Sequence, residues 1–419
     1  MSSSDKNPNS HNPAEELSAD ASKLTKNAKS YLKRAAKLGQ DVEALKAGHT
    51  LEGTATIHSI EDFKELMSDG LTDDHRQCFS GLSSGEAPAD DAMIDALADY
   101  VYGTKDLSPE AKSHAEKLFP VTVAVTSGES VTIESDQEYG PSGPPKLINA
   151  GTLTFDGGSI TAVTTSLTIS ADKLKIVKSG TKSYTVGVLG KQGADGDDCP
   201  PSPAYDKPAP RGKDASAPSP GICTGADNGG TGDPGKQGQG GDKGKDGEDG
   251  HTNLPASITI RSMDATSPSP FVIYTRSGGG GDGGKGGKGG PGQDGGKGGK
   301  GCDSGCEGTD GGDGGKGGNG GNGGNGGPGG NGVSGTQISV TFPRAQQSLL
   351  QTITDTAKPG EGGERGASGK AGVGGKGGEG GKHKTNGQHG QSGDHGDHGT
   401  PGTSGTKTGA AGNINVSYI

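Results

Sequence analysis

From Gly187 onward the chain places glycine at every third position over long stretches, and this period restricts the backbone more than any other feature of the sequence. Glycines 229, 232, 235, 238, 241, 244, 247 and 250 share one phase, as do those from 360 to 381 and from 387 to 405. Two tracts are richer. Between 281 and 301, Asp282, Lys285, Lys288, Pro291, Asp294, Lys297 and Lys300 share one phase, with Gln293 the only other non-glycine. Between 311 and 332 the same phase holds Asp313, Lys316, Asn319, Asn322, Asn325, Pro328 and Asn331. Polyproline II geometry has three residues per turn, a rise of about 3.1 Å per residue and no internal hydrogen bonds. Residues three apart then share one face, and a glycine face admits a neighbouring backbone close enough for N–H and C=O groups to pair between helices. A tract with one glycine face packs at the edge of a bundle. A tract with two packs centrally, which is the expectation for 281–301 and 311–332. At that rise 21 residues span about 65 Å.

Composition alone would suggest disorder, since glycine supplies 86 of 419 residues, hydrophobic residues 26%, and there is no Trp. Globular domains are nearer 45–50% apolar, so an ordinary side-chain core cannot run the whole length. A collagen triple helix is the rival to an intramolecular bundle, but it wants unbroken G-x-y with high proline, and there are only 24 prolines. Apolar segments SITIRS, FVIYTRS, TQISVTFP and NINVSYI also interrupt the tracts. They return the chain to one end after each excursion, in the order strand, glycine helix, tip, glycine helix, strand, three times. The expected tips are 199–223, 302–306 and 383–388, within a bundle over 190–412.

Residues 1–120 read as a small helical domain. Asn12 and Pro13 open a helix whose Leu17, Ala21, Leu24, Ala28, Tyr31, Ala35 and Leu38 form a heptad seam that Gly39 ends. This helix, 13–38, packs on its own domain or serves as a docking or self-association seam. Ser59 with Asp62 and Ser108 with Pro109 open further helices, and 89–102 forms another. Residues 121–189 switch to short Val/Ile/Thr-rich segments with turn residues between them. They read as rungs of a β-solenoid, with a β-sandwich as the alternative, extended by strands in 257–276, 337–343 and 413–419. The expected fold class is therefore a small α-helical N-terminal domain, then a β-solenoid-like or β-sandwich core with three hairpins of polyglycine II helices forming a glycine-rich bundle.

Five cysteines occur, at Cys78, Cys199, Cys223, Cys302 and Cys306. By position Cys199 with Cys223 and Cys302 with Cys306 bracket turns, so disulfides there would pin the tips in an oxidising compartment. Free thiols lying in loops are the alternative. The spacings match no usual zinc pattern.

GGKGGKGGPGQDGGKGGKG, GGDGGKGGNGGNGGNGGPGGNG and the cysteine-bounded turns resemble proteins with polyglycine II sandwiches, the tip adhesins of bacteriophage long tail fibres and the snow-flea antifreeze proteins. The resemblance covers roughly 187–412 and concerns architecture. In the adhesins the loops between glycine helices carry receptor recognition, and there they are aromatic-rich, whereas Tyr205 is nearly the only aromatic here. In the antifreeze proteins a flat face of small residues meets ice, whereas the stripes here are Lys, Asn and Asp.

No catalytic constellation is visible. The tract HKTNGQHGQSGDHGDHG invites a metal reading, but His395 and His398 would sit about 9 Å apart on a regular helix, too far for one ion with bonds of about 2.0–2.1 Å. Asp394 with Asp397 are separated likewise. No G-x-x-x-x-G-K-[S/T] opens a helix after a strand, and the Asp-Gly pairs read as scaffold, not as calcium loops. No enzyme, cofactor or metal is expected. A net charge of −11, with Asp and Glu interleaved among Lys, argues against nucleic acid. No run of about 18 apolar residues indicates a membrane span, and MSSSDKNPNSHN lacks a signal-peptide core. The expected setting is extracellular or surface-exposed by another route, with a cytoplasmic one still open. The function expected is binding by a rigid stalk whose tips contact a cell-surface glycan or protein receptor through Tyr205, Asp206, Lys207, Arg211, Lys213, Asp303, Ser304, His383, Lys384, Asn386 and Gln388. A secreted toxin or defence protein and a structural or ice-binding protein are the alternatives.

Overall fold

The computed structural model describes residues 29–419 apart from 69–70, 72, 81–95, 98, 142, 220–221 and 305–306. The fold class expected from sequence is corrected. The chain is an α/β fold built on a mixed seven-stranded sheet, order β1-β2-β4-β6-β8-β10-β12, and a parallel five-stranded sheet, order β11-β9-β7-β5-β3. The first comprises β1 (Leu51–Ile57), β2 (Val121–Ile133), β4 (Lys146–Asp156), β6 (Leu167–Lys178), β8 (Ala256–Ile260), β10 (Gln337–Phe342) and β12 (Asn413–Tyr418). The second comprises β3 (Gln137–Tyr139), β5 (Ile160–Val163), β7 (Val186–Leu189), β9 (Phe271–Arg276) and β11 (Leu350–Asp355). From β2 onward the chain alternates between the sheets, and each new strand adds in parallel register to the last one in its own sheet.

The N-terminal region is not a separate helical domain. β1 lies inside it and pairs antiparallel with β2, from Leu51 opposite Ser127 to Ile57 opposite Val121. That pairing makes the larger sheet mixed. The reason for the misreading is local: LEGTATI is short and half exposed, so its alternation is weak beside the helical signals around it. The helices include α1 (Ser30–Lys37), α2 (Val42–Lys46), α3 (Ile60–Met67), α4 (Asp73–Ser80) and α5 (Pro109–Leu118), with a short 3-10 helix at Arg344–Leu349. Ser59 caps α3 by accepting from Asp62 N at 3.1 Å, and Ser108 caps α5 by accepting from Ala111 N at 3.1 Å. The helix expected over 13–38 lies outside the described residues before 29. Its remainder, α1, buries Tyr31, Leu32, Ala35 and Ala36. Of the helix expected over 89–102, residues 96–97 and 99–102 are helical, and the rest lies outside the described residues.

The strand pattern follows from two burial faces. Ile148, Leu153 and Phe155 of β4 point between the sheets with Ile169, Ile258, Phe271, Ile338 and Phe342, while Leu147 points with Val123 and Val125 against Ile60 and Met67 of α3. Full burial of such side chains is worth about 1.5–3 kcal/mol each. Asn149 is buried on the helix face, where it accepts from Arg34 Nε at 2.7 Å and donates to Tyr31 O at 2.8 Å.

The glycine tracts connect the sheets. Six extended rods run outside helix and strand: rod 1 (190–215), rod 2 (229–251), rod 3 (278–301), rod 4 (309–332), rod 5 (358–381) and rod 6 (385–409). Rods 1, 3 and 5 leave the C-terminal ends of β7, β9 and β11, and rods 2, 4 and 6 return to β8, β10 and β12. Odd rods pair in parallel, with Gly193 N on Gly279 O at 2.9 Å and Gly283 N on Glu361 O at 2.8 Å. Even rods do the same, with Gly229 N on Asp310 O at 2.9 Å and Gly314 N on Gln388 O at 2.8 Å. Consecutive rods pair antiparallel, as in Gly281 N on Glu248 O and Gly315 N on Gly296 O, both 2.8 Å. The series advance by three residues, except where rod 1 gains a residue on rod 3 between Ser202 and Ala209 and where rod 6 gains one on rods 4 and 5 near Lys407. Rod 3 bonds to rods 1, 2, 4 and 5, and rod 4 to rods 2, 3, 5 and 6. These are the two tracts with glycine at two positions in three.

The approach leaves no room for a side chain. A Cβ on Gly318 would lie 1.9 Å from Lys236 O. Gly318→Ala is therefore expected to lower stability by about 3 kcal/mol or more, at or beyond the upper end of overpacking costs. Lys316→Ala, at an exposed position two residues away, should stay within about 0.5 kcal/mol. Denaturant unfolding of the two variants checks this, and equal midpoints would refute the packing described.

Candidate functional site: the rod ends and a cleft on the rod flank

The sequence-predicted residues divide between two places. Asp303, Ser304, His383 and Lys384 lie in turns at the rod ends remote from the sheets, and Asn386 stands at the first turn of rod 6 beside them. Asp303 accepts from Lys382 N at 2.9 Å, Lys384 Nζ lies 3.6 Å from Glu307 Oε1, and Asn386 accepts from Gly380 N at 2.8 Å. Ser304 Oγ accepts from Glu307 N at 3.2 Å. His383 is exposed and has φ +61°, a left-handed conformation that the tight turn imposes. Gln388 is already in rod 6, where its N–H donates to Asp313 Oδ1 at 2.7 Å.

The expected cysteine pairing is corrected here. Cys223 bonds Cys302, with Cα atoms 5.9 Å apart, so the bridge joins two turns instead of closing either one. The cause is rod register: Gly299 N donates to Gly230 O at 2.8 Å, which sets the end of rod 3 beside the start of rod 2. Cys199 is a free thiol within rod 1, its backbone N on Lys285 O at 2.9 Å. Cys306 lies outside the described residues, as does the side chain of Cys78.

Tyr205, Asp206, Lys207, Arg211 and Lys213 are not at the rod ends but along rod 1. There the glycine face gives way to Cys199, Ser202 and Tyr205, three apart and increasing in size. Each donates to a rod 2 carbonyl: Cys199 Sγ to Lys243 O at 2.9 Å, Ser202 Oγ to Gly240 O at 2.7 Å and Tyr205 Oη to Gln237 O at 2.7 Å. Side chains thus replace backbone donors as rod 1 draws away from rod 2. Prolines 200, 201, 203 and 208 have no N–H to offer in this stretch. Rod 1 also gains a residue on rod 3. Ser202 N bonds Lys288 O and Ala209 N bonds Asp294 O, so rod 1 advances 209 − 202 = 7 residues where rod 3 advances 294 − 288 = 6. Gln293, the odd residue of its tract, fills the resulting gap. Its Nε2 donates to Lys207 O at 3.0 Å and its Oε1 accepts from Lys236 N at 3.1 Å.

Beside this bulge a cleft of about 580 Å³ opens across rods 1, 3 and 5, lined by Lys207, Ala209, Arg211, Asp294, Lys297, Val373 and Lys376 among others. Asp294 accepts from Val373 N at 2.7 Å, and Val373 is 62% exposed. Arg211 pairs with Asp214. Just beyond the cleft Lys300 pairs with Glu379 at 2.8 Å, and that contact, helped by Lys297, holds the Glu379 carboxyl below its ordinary pKa.

The polar stripes also cross-link. Asp282 accepts from Glu361 N, Asp310 from Thr385 N, Asn319 from Asp394 N and Asn322 from Asp397 N, at 2.7–3.0 Å. Asp and Asn are short enough to reach an outward N–H on the next rod of the layer, which a wet stripe would leave to water. Sequence reasoning missed this role, as it missed Asn253. Asn253 is fully buried where rods meet sheets, and it bonds Thr275 Oγ1, Ser277 Oγ and Thr336 N, each at 2.9 Å. Nothing in HTNLPAS marks it. His398 Nδ1 accepts from Ser368 N at 3.3 Å. Among the described residues no three His, Cys, Asp or Glu side chains are grouped to hold a metal ion, and no helix is long and apolar enough to cross a membrane.

Two outcomes follow. A non-reduced peptide map is expected to link the segments holding Cys223 and Cys302, and Cys302→Ser should lose about 2–4 kcal/mol. A Cys302–Cys306 link would overturn the pairing. The Asp310 carboxyl is depressed by the backbone and hydroxyl of Thr385. A depressed carboxyl contributes stability above its unfolded pKa of about 3.9 and loses it as pH falls through the folded value. Asp310→Asn keeps the acceptor, so the variant should lose less of its unfolding midpoint than the native chain between neutral pH and about pH 3. Identical pH profiles would remove Asp310 from that account. Compared with protein-family models, curated proteins and solved structures, the chain matches none.

Proposed function

We propose that this chain is a non-enzymatic binding protein of the adhesin or receptor-binding type. The sheets and helices form its base, the hydrogen-bonded rods form a stiff stalk, and the turns at the rod ends contact a cell-surface glycan or protein receptor. One observation carries the reading: turns from distant parts of the sequence are braced to one another, by Cys223–Cys302, by Asp303 on Lys382 N and by Lys384 with Glu307. Bracing lowers the entropy lost when a loop is immobilised on a partner, whereas a stalk alone has no need of it. The polar, exposed side chains there suit hydrogen bonding to a hydrated ligand. Disulfides persist in oxidising compartments, which favours an extracellular or surface-exposed setting.

The test uses the full chain, labelled and applied to cells and to arrays of glycans and receptor ectodomains. Glu307→Ala, His383→Gly and Lys384→Ala together remove exposed groups, and glycine adopts the φ of His383 freely. The triple variant is expected to reduce retention at least about tenfold, about 1.4 kcal/mol, with an unchanged unfolding midpoint. Undiminished retention of the variant, or no retention of the native chain by any surface, would falsify the proposal.

A further inference from the structure

We infer that the cleft across rods 1, 3 and 5 is a second binding site, for an acidic glycan bearing sulfate or carboxylate groups. The inference shares with the preceding section the premise that this chain binds ligands, but it concerns the rod flank and does not depend on the turns.

The charge is one-sided. Lys207, Arg211, Lys297 and Lys376 line the cleft against a single lining carboxylate, Asp294. One Asp294 oxygen is already engaged by Val373 N, and Arg211 is engaged by Asp214. Lys207, Lys297 and Lys376 make no ion pair among the described residues, although Glu379 lies within electrostatic reach of Lys297. On the same layer Lys285 pairs with Glu364 and Lys300 with Glu379, both at 2.8 Å, while Lys288 and Lys370 also make no ion pair among the described residues. The cleft differs in gathering four cations around one hollow. The chain as a whole carries a net charge of −11, so a local cationic hollow stands out against it and would gather anions.

The shape selects among anions. Rods in even register repeat the same surface every three residues, so a single hollow marks a departure from the period, and the seven-for-six register of rod 1 on rod 3 lies beside this one. Single-stranded nucleic acid wants aromatic faces for its bases. No aromatic residue lines the cleft, and the nearby Tyr205 hydroxyl is bound to Gln237 O. Pro208, Ala209 and Val373 give small apolar surfaces instead. These suit the C–H faces of sugar rings, while clustered lysines suit sulfate and carboxylate groups, as in heparin-binding patches. The cations come from three adjoining rods, Lys207 and Arg211 from rod 1, Lys297 from rod 3 and Lys376 from rod 5, so they suit a ligand that carries several anionic groups more than one small ion.

The experiment titrates the full chain with a heparin-derived octasaccharide at low and at physiological salt. Sulfate ion, neutral dextran and a single-stranded oligonucleotide of equal charge are the comparison probes. Lys207→Gln with Lys376→Gln is expected to weaken octasaccharide binding at least about tenfold. Lys316→Gln, exposed on rod 4 in the other layer, should change it less than about twofold. The substitution set Glu307→Ala, His383→Gly and Lys384→Ala should leave it intact. No octasaccharide binding, equal binding by the oligonucleotide, or equal loss in the Lys316 control overturns the inference. Loss confined to the Glu307, His383 and Lys384 set would move the glycan to the rod ends and sink the flank site alone.

Discussion

The hydrogen bond from a glycine N–H on one rod to a carbonyl on the next is the interaction on which the rest of this structure depends. It replaces a side-chain core over about a third of the chain. An isolated extended helix leaves every backbone polar group to water, and burying such groups unpaired is costly. Here they are paired between rods at about the spacing of an ordinary backbone hydrogen bond. The condition is steric: at Gly296, Gly318 and Gly321 a Cβ would come within 2.0 Å of a carbonyl oxygen. Glycine is therefore demanded by contact with another rod, not by unusual φ, and the period of three is the sequence image of that contact. Where it lapses, a side chain takes over the bond, as Gln293 and the series Cys199, Ser202, Tyr205 do.

Such bonds contribute only about 1 kcal/mol each in net terms, and ordering glycine costs more backbone entropy than ordering any other residue. Register must come from elsewhere, and the sheets supply it. Leu189 pairs with Arg276 in the five-stranded sheet, Gly190 N then bonds Arg276 O, and Gly193, Gly196 and Cys199 continue the ladder into rods 1 and 3 without a break. The apolar core between the sheets thus stabilises strand pairs whose continuations are the rods. Asn253 sits at this junction, buried and hydrogen-bonded through both its amide oxygen and its amide nitrogen, where a slip of the neighbouring segments would strand its amide.

How much of this was legible in the sequence depends on whether the signal was periodic. Close backbone approach and the glycine-to-glycine face could be read from the spacing alone, and so could the capped starts at Ser59 and Ser108. The architecture of the sheets could not. LEGTATI carries no strong alternation, and its pairing with β2 rests on contacts distant in sequence. The fold class inferred from sequence failed there. The cysteine pairing failed for a related reason. Proximity along the chain suggested Cys199 with Cys223, but rod register, invisible locally, brings Cys302 to Cys223. Tyr205 was chosen because it is aromatic and isolated, and its hydroxyl is bound within the scaffold. The cleft left one trace in the sequence, the odd Gln293, whose meaning appears only when the extra residue of rod 1 is set against it.

That trace bears on where any function of such a molecule can reside. A rod in perfect period presents a flat, repeating face, and its polar stripe is occupied in tying N–H groups of the neighbouring rod, as at Asp310, Asn319 and Asn322. A repeating face has no unique point, so it can support length and stiffness but cannot distinguish one ligand from another. Distinction requires a break in period. Such breaks include the braced turns around Cys223, Asp303 and His383, and the seven-for-six register beside Gln293. Each break forfeits some backbone pairing, and each recovers part of it through a side chain that glycine cannot provide. The residues that compensate a break are therefore scaffold, and the residues left unpaired beside it, Lys207 and Lys376 foremost, are the ones free to meet something else.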